Sequence, residues 1–397
     1  MTTTLSLSSK RIAAIDLLRG IIMVIMALDH TRDFFHKDAL VADPLNAATT
    51  NFILFGTRWV THFCAPGFVF LSGLSAWLQH QRKTTKELSI FLITRGLWLI
   101  VFDLFIMSFV FTADIHFSLF ILETLWSIGA GMVILGLMIH LPFMAILITG
   151  LLIVLGHNLI NIAEAGRSTP VPLWWNMLHQ PGIKPLDSGH SLFVFYPMLP
   201  WAGLMLLGYC CGKLFTHTEA AKRNRLLLLT GMSAIALFLV LRFINIYGDP
   251  LAWKKQPTAL QTFFSFMNVQ KYPPSLLFIF ATIGPLLVVL SFIKTTSGNV
   301  AKKVMVFGRV PLFYFVVHFF ILHVVQIITY LFSGHTVEEG MKGSTASLFK
   351  FSAPGEGVSL GFVYLIWIAI VLLMYPICKW YDSYKAAHKE KKWLSYL

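Results

Sequence analysis

The chain is short of charge, short of acid and short of cysteine. Only 12% of its 397 residues are charged, and 18 acidic residues face 31 basic ones, for a formal net charge of +13. So little charge, with 56% hydrophobic residues and a mean hydropathy of +0.72, excludes a soluble globular domain of this length. Cys64, Cys210, Cys211 and Cys378 all fall inside apolar runs. With no second thiol or His pair at ligand spacing, neither a disulfide scaffold nor a metal site is expected. A Gly-rich nucleotide loop, an internal repeat and a low-complexity tract are also missing, and no hydrophilic stretch is long enough to fold by itself. The opening MTTTLSLSSKR lacks a separate apolar region with a small-residue cleavage site, so the first apolar segment is expected to stay as an anchor.

What is there instead is apolar sequence in runs of about 18 residues or more, without strand-like alternation. In hydrocarbon this pattern specifies helices, because every backbone polar group must be satisfied within the segment. An all-α polytopic membrane protein follows. One domain over residues 1–397 is expected, a bundle of about ten transmembrane helices near 12–34, 57–78, 89–112, 117–139, 142–164, 191–215, 225–247, 274–294, 306–332 and 358–380, with ends placed to about 2–4 residues. With a cytoplasmic N-terminus, the loops on that side carry about 17 Lys and Arg against about 8 opposite, so both termini are read as cytoplasmic. The basic residues are scattered over short juxtamembrane loops, which fits membrane lipid headgroups and not nucleic acid. The larger loops, 35–56, 165–190, 248–273 and 333–357, then lie outside, where an external substrate meets them first.

The first span is unusually polar. RGIIMVIMALDHTRDFF carries Arg19, Asp29, His30, Arg32 and Asp33, with Asp16 just before it. At about 100° per residue, Asp16, Arg19, Met23, Met26, His30 and Asp33 share one stripe; Asp29 sits at its edge, and Arg32 points to the far side, toward the interface. Arg19 and His30 are about 16 Å apart along the axis at about 1.5 Å per residue, roughly half the hydrocarbon thickness. A charge at the centre of a helix costs on the order of 2.5–3.5 kcal/mol on insertion, so these groups need ion-pair partners or a wet cavity. Ion pairing suits Asp16, Arg32 and Asp33, near the helix ends. Arg19 and His30, with flexible Met between them, read as the lining of a path, and His is the side chain able to act as a base near neutral pH.

The spacing Arg19, ten residues, His30 resembles the Arg-x10-His signature of membrane acyltransferases acting on extracytoplasmic sugars. More closely, DLLRGIIMVIMALDH and THFCAPGFVFLSGLSAW resemble the start of the heparan-alpha-glucosaminide N-acetyltransferase family and its bacterial relatives. The resemblance continues through LETLWSIGAGMVILG, VFYPMLPWAGLMLLGYCCGKLF, FINIYGDPLAW, KYPPSLLFIFATIGPLL, FGRVPLFYFVVHFFILH and WLSYL. It implies a multi-pass protein of the bacterial inner membrane that moves an acyl group from cytoplasmic acyl-CoA, with acetyl-CoA as donor and no covalently bound cofactor, to a carbohydrate-like acceptor outside. His30 falls where the lysosomal enzyme has a catalytic-site Asn. That enzyme's catalytic His lies in the following loop, where this chain has Val41, with His36 the nearest histidine. His30 is therefore expected to be the catalytic base, with Asp29 as its orienter, and Arg19, Arg95 and Arg309 to contact CoA.

Other residues keep two readings. Arg58 and His62, one turn apart, are ion-pair partners or substrate contacts; Glu123 is a functional carboxylate or an Arg partner. His190 and His318 are assigned to acceptor binding and His323 to the core. Ser72, Gly73 and Ser75 suit close helix packing, and the two prolines of YPMLPW are expected to kink their helix. A proton-coupled transporter built on Asp29, His30 and Asp33 is the rival function, and a homo-oligomer stays open.

Overall fold

The computed structural model describes residues 12–39, 41–165, 170–293, 296–343 and 349–395. The opening MTTTLSLSSKR and the last two residues of WLSYL lie outside them. The chain is mostly helical. It starts with α1 (Ala13–Phe35), α2 (Phe52–Thr61) and α3 (Cys64–His80), then α4 (Thr85–Phe102), which a π-helical turn, Asp103–Met107, joins to α5 (Ser108–Thr112). Strand β1 (Leu119–Leu122) leads into α6 (Thr124–Met138). After α7 (Phe143–Gly156), α8 (Asn158–Glu164) and α9 (Leu173–Leu178), strands β2 (Gly182–Pro185) and β3 (Ser191–Val194) precede α10 (Met198–Gly212) and α11 (Ala220–Ile244). The remainder is α12 (Ala259–Met267), α13 (Leu276–Phe292), α14 (Asn299–Arg309), α15 (Pro311–Phe332), α16 (Val337–Lys342) and α17 (Leu360–Ala387).

Six of the described helical stretches are long and apolar enough to cross a bilayer; the pair α7–α8, bent by 41°, makes a seventh. The helices α6 and α13 are apolar but shorter. Local chemistry sets several ends. Thr84 and Glu87 form a capping box on α4, and Ser275 caps α13 through the Phe278 N–H, each satisfying donors that have no partner within the helix.

Three departures from the sequence expectation have identifiable causes. The run 306–332 is two helices, because Pro311 opens α15 and disfavours helical backbone at Val310, whose φ is −130°. The prolines of YPMLPW start α10 instead of kinking it: Pro197 is its N-cap and Pro200 lies in its first turn, where no backbone donor is lost. Runs 117–139 and 191–215 each begin as a strand. β1 pairs parallel to β3, which pairs antiparallel to β2, in the order β1-β3-β2. These strands are four residues long, too short for alternation to be visible inside an apolar run.

α1 is central, packed against α2, α3, α14, α15 and α17. Its contact with α14 is backbone to backbone: a Cβ on Gly308 would overlap the Asp16 carbonyl oxygen, and one on Gly20 the carbonyl of Val304. Gly73 and Gly208 do the same between α3 and α10. Without a hydrophobic driving force between helices in lipid, this close approach supplies the packing attraction.

Candidate functional site

A cavity of about 350 Å³ runs beside α1 and is lined by Arg19, Met23, Met26, Asp29, His30 and Asp33. Five of these belong to the stripe read from the sequence, and Asp29 is its edge residue. At about 1.5 Å per residue, Arg19 to Asp33 spans about 21 Å.

At the Arg19 end, the guanidinium donates to the Ser75 hydroxyl at 2.7 Å and the Gly308 carbonyl at 3.2 Å, with Asp16 at 3.5 Å. Ser75 is thus a ligand of Arg19 and Ser72 part of the cavity wall, so among SGLS only Gly73 matches the packing assignment. Arg95 also lines the cavity. Arg309 does not: it is 36% exposed and pairs at 3.1 Å with Asp382 of α17, which holds its guanidinium there.

In the middle, His30 Nδ1 lies 2.8 Å from His318 Nε2. His318, on α15, places its own Nδ1 2.8 Å from the Tyr314 carbonyl. Phe315 and Phe319 approach the His30 ring edge-on, with centroids 5.9 and 4.8 Å away. His318 is fully buried and outside the cavity wall; the ring it meets is that of the expected base. His323 is a core histidine, bonded to the Val110 carbonyl at 2.6 Å.

The expected orienter of His30, Asp29, is engaged elsewhere. Both its oxygens accept from Arg58 at 2.8 Å, the Thr61 hydroxyl donates to it at 2.9 Å, and Arg32 lies 2.9 Å away. Arg32 is 3% exposed and also pairs with Asp33. It does not reach the interface as expected, because two carboxylates hold it inward. Arg58 pairs with Asp29, as one of its readings had it, and also lines the cavity. His62 is buried beside Phe278, ring centroids 5.2 Å apart, and stays out of the wall. His190 is also apart, exposed next to the β2–β3 turn and bonded to Asp187 at 2.8 Å.

Glu123, singled out from sequence, is joined in the wall by residues that were not. β1 and β3 run directly into Glu123 and into Phe195 and Tyr196, and all three line the cavity with Lys271 and Tyr272. Phe195 stacks on Tyr272 at 4.2 Å. The Lys271 ammonium lies 5.0 Å from the Tyr272 ring centroid. Asp103, fully buried on the π-turn, accepts the Glu123 and Trp126 N–H groups at 2.7 and 2.9 Å and so fixes where α6 starts. An acid in the apolar run IVFDLF was the available signal for Asp103. Nothing short-range marks Lys271 as a cavity residue.

Outside the helical spans, Asp114 binds Lys350 at 2.8 Å and tethers the segment that brings Phe349 to the cavity. Burial raises its carboxyl pKa. The Lys350 ammonium, the Ser118 hydroxyl and the His116 and Ser118 N–H groups outweigh that and hold it well below the usual carboxylate range. Among the described residues no group of three or more His, Cys, Asp or Glu is placed to hold a metal.

The fold and the site define a helical membrane protein with a polar, histidine-containing cavity inside its bundle. Within that class, the chain belongs to the family described as heparan-alpha-glucosaminide N-acetyltransferase, catalytic, whose family model matches residues 11–244. The matched stretch contains Arg19, Asp29, His30, Arg58, Arg95 and Glu123; Lys271 and His318 lie beyond it. No curated protein matches the chain.

Proposed function

We propose that the protein is an acyl-CoA-dependent membrane acetyltransferase that passes the acyl group from the cytoplasmic side to a sugar-like acceptor outside. The observation that carries this reading is the single cavity shared by Arg19 and His30. The topology that goes with it adds α1, whose charges hide its character as a span, and the shorter α6 and α13 to the long apolar helices. The resulting arrangement has about ten spans with both termini in the cytoplasm, in the bacterial inner membrane.

In this scheme Arg19 and Arg95 receive the phosphate-bearing arm of CoA at the inner end, where fixed guanidinium donors suit anionic oxygens. His30 takes the proton from the acceptor's hydroxyl or amine as that atom bonds to the thioester carbonyl carbon. The carbon–sulfur bond then breaks, and the proton goes to the leaving CoA sulfur. The rival transporter needs a carboxylate free to exchange protons, and Asp29 is committed to Arg58, Thr61 and Arg32.

The test is transfer of labelled acetyl from acetyl-CoA, and its hydrolysis, by purified protein in lipid. His30→Ala is expected to lower kcat by about 10²–10⁴-fold, and Arg19→Met to raise KM for acetyl-CoA. Equal rates in wild type and His30→Ala remove His30 from the chemistry. Substrate uptake into liposomes without CoA, lost in Asp29→Asn, supports the transporter instead.

A further inference from the structure

We propose that His318 is a positioning residue that decides which nitrogen of His30 carries the proton, so that His30 presents a bare Nε2 to the cavity. The argument starts from the one group whose role has no alternative. The Tyr314 carbonyl oxygen can only accept, so His318 Nδ1, 2.8 Å away, carries a proton and donates it. A second proton on Nε2 would make His318 a fully buried cation, and among the described residues no carboxylate is bonded to it. An unpaired charge in such surroundings is expensive. The ring is therefore neutral and its Nε2 is a lone pair. That lone pair faces His30 Nδ1 at 2.8 Å, which makes His30 Nδ1 the donor and leaves Nε2 of the neutral His30 without a proton. In water a neutral imidazole favours the opposite tautomer, so the fold imposes this one.

The geometry keeps it in place. The two imidazoles are nearly parallel, 13° between planes with centroids 5.1 Å apart, and Phe315 and Phe319 close on the His30 ring edge-on, which hinders a flip. His30 lines the cavity, and a lone pair there is what a proton acceptor needs. Rate enhancement depends on the acyl-transfer reading above; the tautomer does not. His318 reaches no substrate and acts through His30 alone.

The experiment labels the histidine rings of the intact protein with 15N in lipid vesicles, assigning His30 by the signals lost in His30→Gln. At neutral pH the expected pair is a protonated Nδ1 and a bare Nε2, with protonation moving toward Nε2 in His318→Leu. His318→Gln keeps an acceptor for the Nδ1 proton and is expected to keep the wild-type pattern; it also serves where the leucine variant does not fold. In the transfer assay His318→Leu is expected to lower kcat on the order of 10²-fold with KM for acetyl-CoA nearly unchanged, and His318→Gln to recover most of the loss. A wild-type His30 protonated on Nε2, or a His30 pattern indifferent to His318→Leu, overturns the proposal. An inactive wild type with the expected tautomer overturns the acyl-transfer reading and leaves the pair standing.

Discussion

The Asp29–Arg58 contact offers a quantitative test. Asp29 is 9% and Arg58 15% exposed at the side chain, and Arg32 and Thr61 complete the carboxylate's partners. Removing one member of a buried ion pair costs about 3–5 kcal/mol, because the other charge is left stranded. In Arg58→Leu the carboxylate keeps Arg32, which puts the loss near the lower end, about 3 kcal/mol, or a fall in Tm of roughly 3–4 °C for a chain of this length. Asp29→Leu strands Arg58 and is expected to cost at least as much. The double variant removes both charges, so its loss should fall short of the sum by about 1–3 kcal/mol. Thermal unfolding followed by tryptophan fluorescence in lipid nanodiscs reads all four proteins. An Arg58→Leu variant melting within about 1 °C of wild type, or strict additivity in the double variant, refutes the clamp. Either outcome would return Asp29 to the role of a free, exchangeable carboxylate.

Two further outcomes follow from packing and titration. Gly308→Ala puts a methyl group onto the Asp16 carbonyl and should separate α1 from α14 at a cost of about 1–3 kcal/mol, read as a lower Tm and weaker acetyl-CoA binding through the displaced Arg19; unchanged values would show that the two helices are not in backbone contact. The depressed Asp114 pKa means that the folded state binds this proton less readily than the unfolded chain does. Its stabilisation is complete above about pH 5 and is lost as pH falls through the ordinary Asp value of about 3.9 toward the folded value. Asp114→Asn should therefore lower Tm at pH 7 and narrow its gap to wild type only as pH falls below about 4; a gap that stays constant with pH down to about 2 would assign the tether to shape alone.

The polar stripe of the first span was legible because helical geometry relates residues three and four apart with no help from the rest of the chain. Met23, Met26 and His30 were placed together on that basis, and they share one wall. The same local arithmetic misplaced Arg32, since a wheel gives direction from the axis and says nothing of which neighbour bears a carboxylate. Arg309 and His190 were chosen for being near helix ends or in outer loops, a criterion blind to which way an end residue turns. His318 was singled out, but as an acceptor contact, because its partner lies 288 residues away.

By itself the sequence determined that this is a helical membrane protein whose first helix carries a line of ionisable groups, because insertion energy and helical periodicity are properties of consecutive residues. Only the tertiary structure decided that Asp29 is clamped by Arg58, that His30 leans on His318, and that Glu123, Tyr196 and Lys271 close the same cavity. Such contacts join segments far apart in the chain. They are chosen by which helices pack together, through glycines whose missing side chains let backbones meet, and no local pattern records that choice.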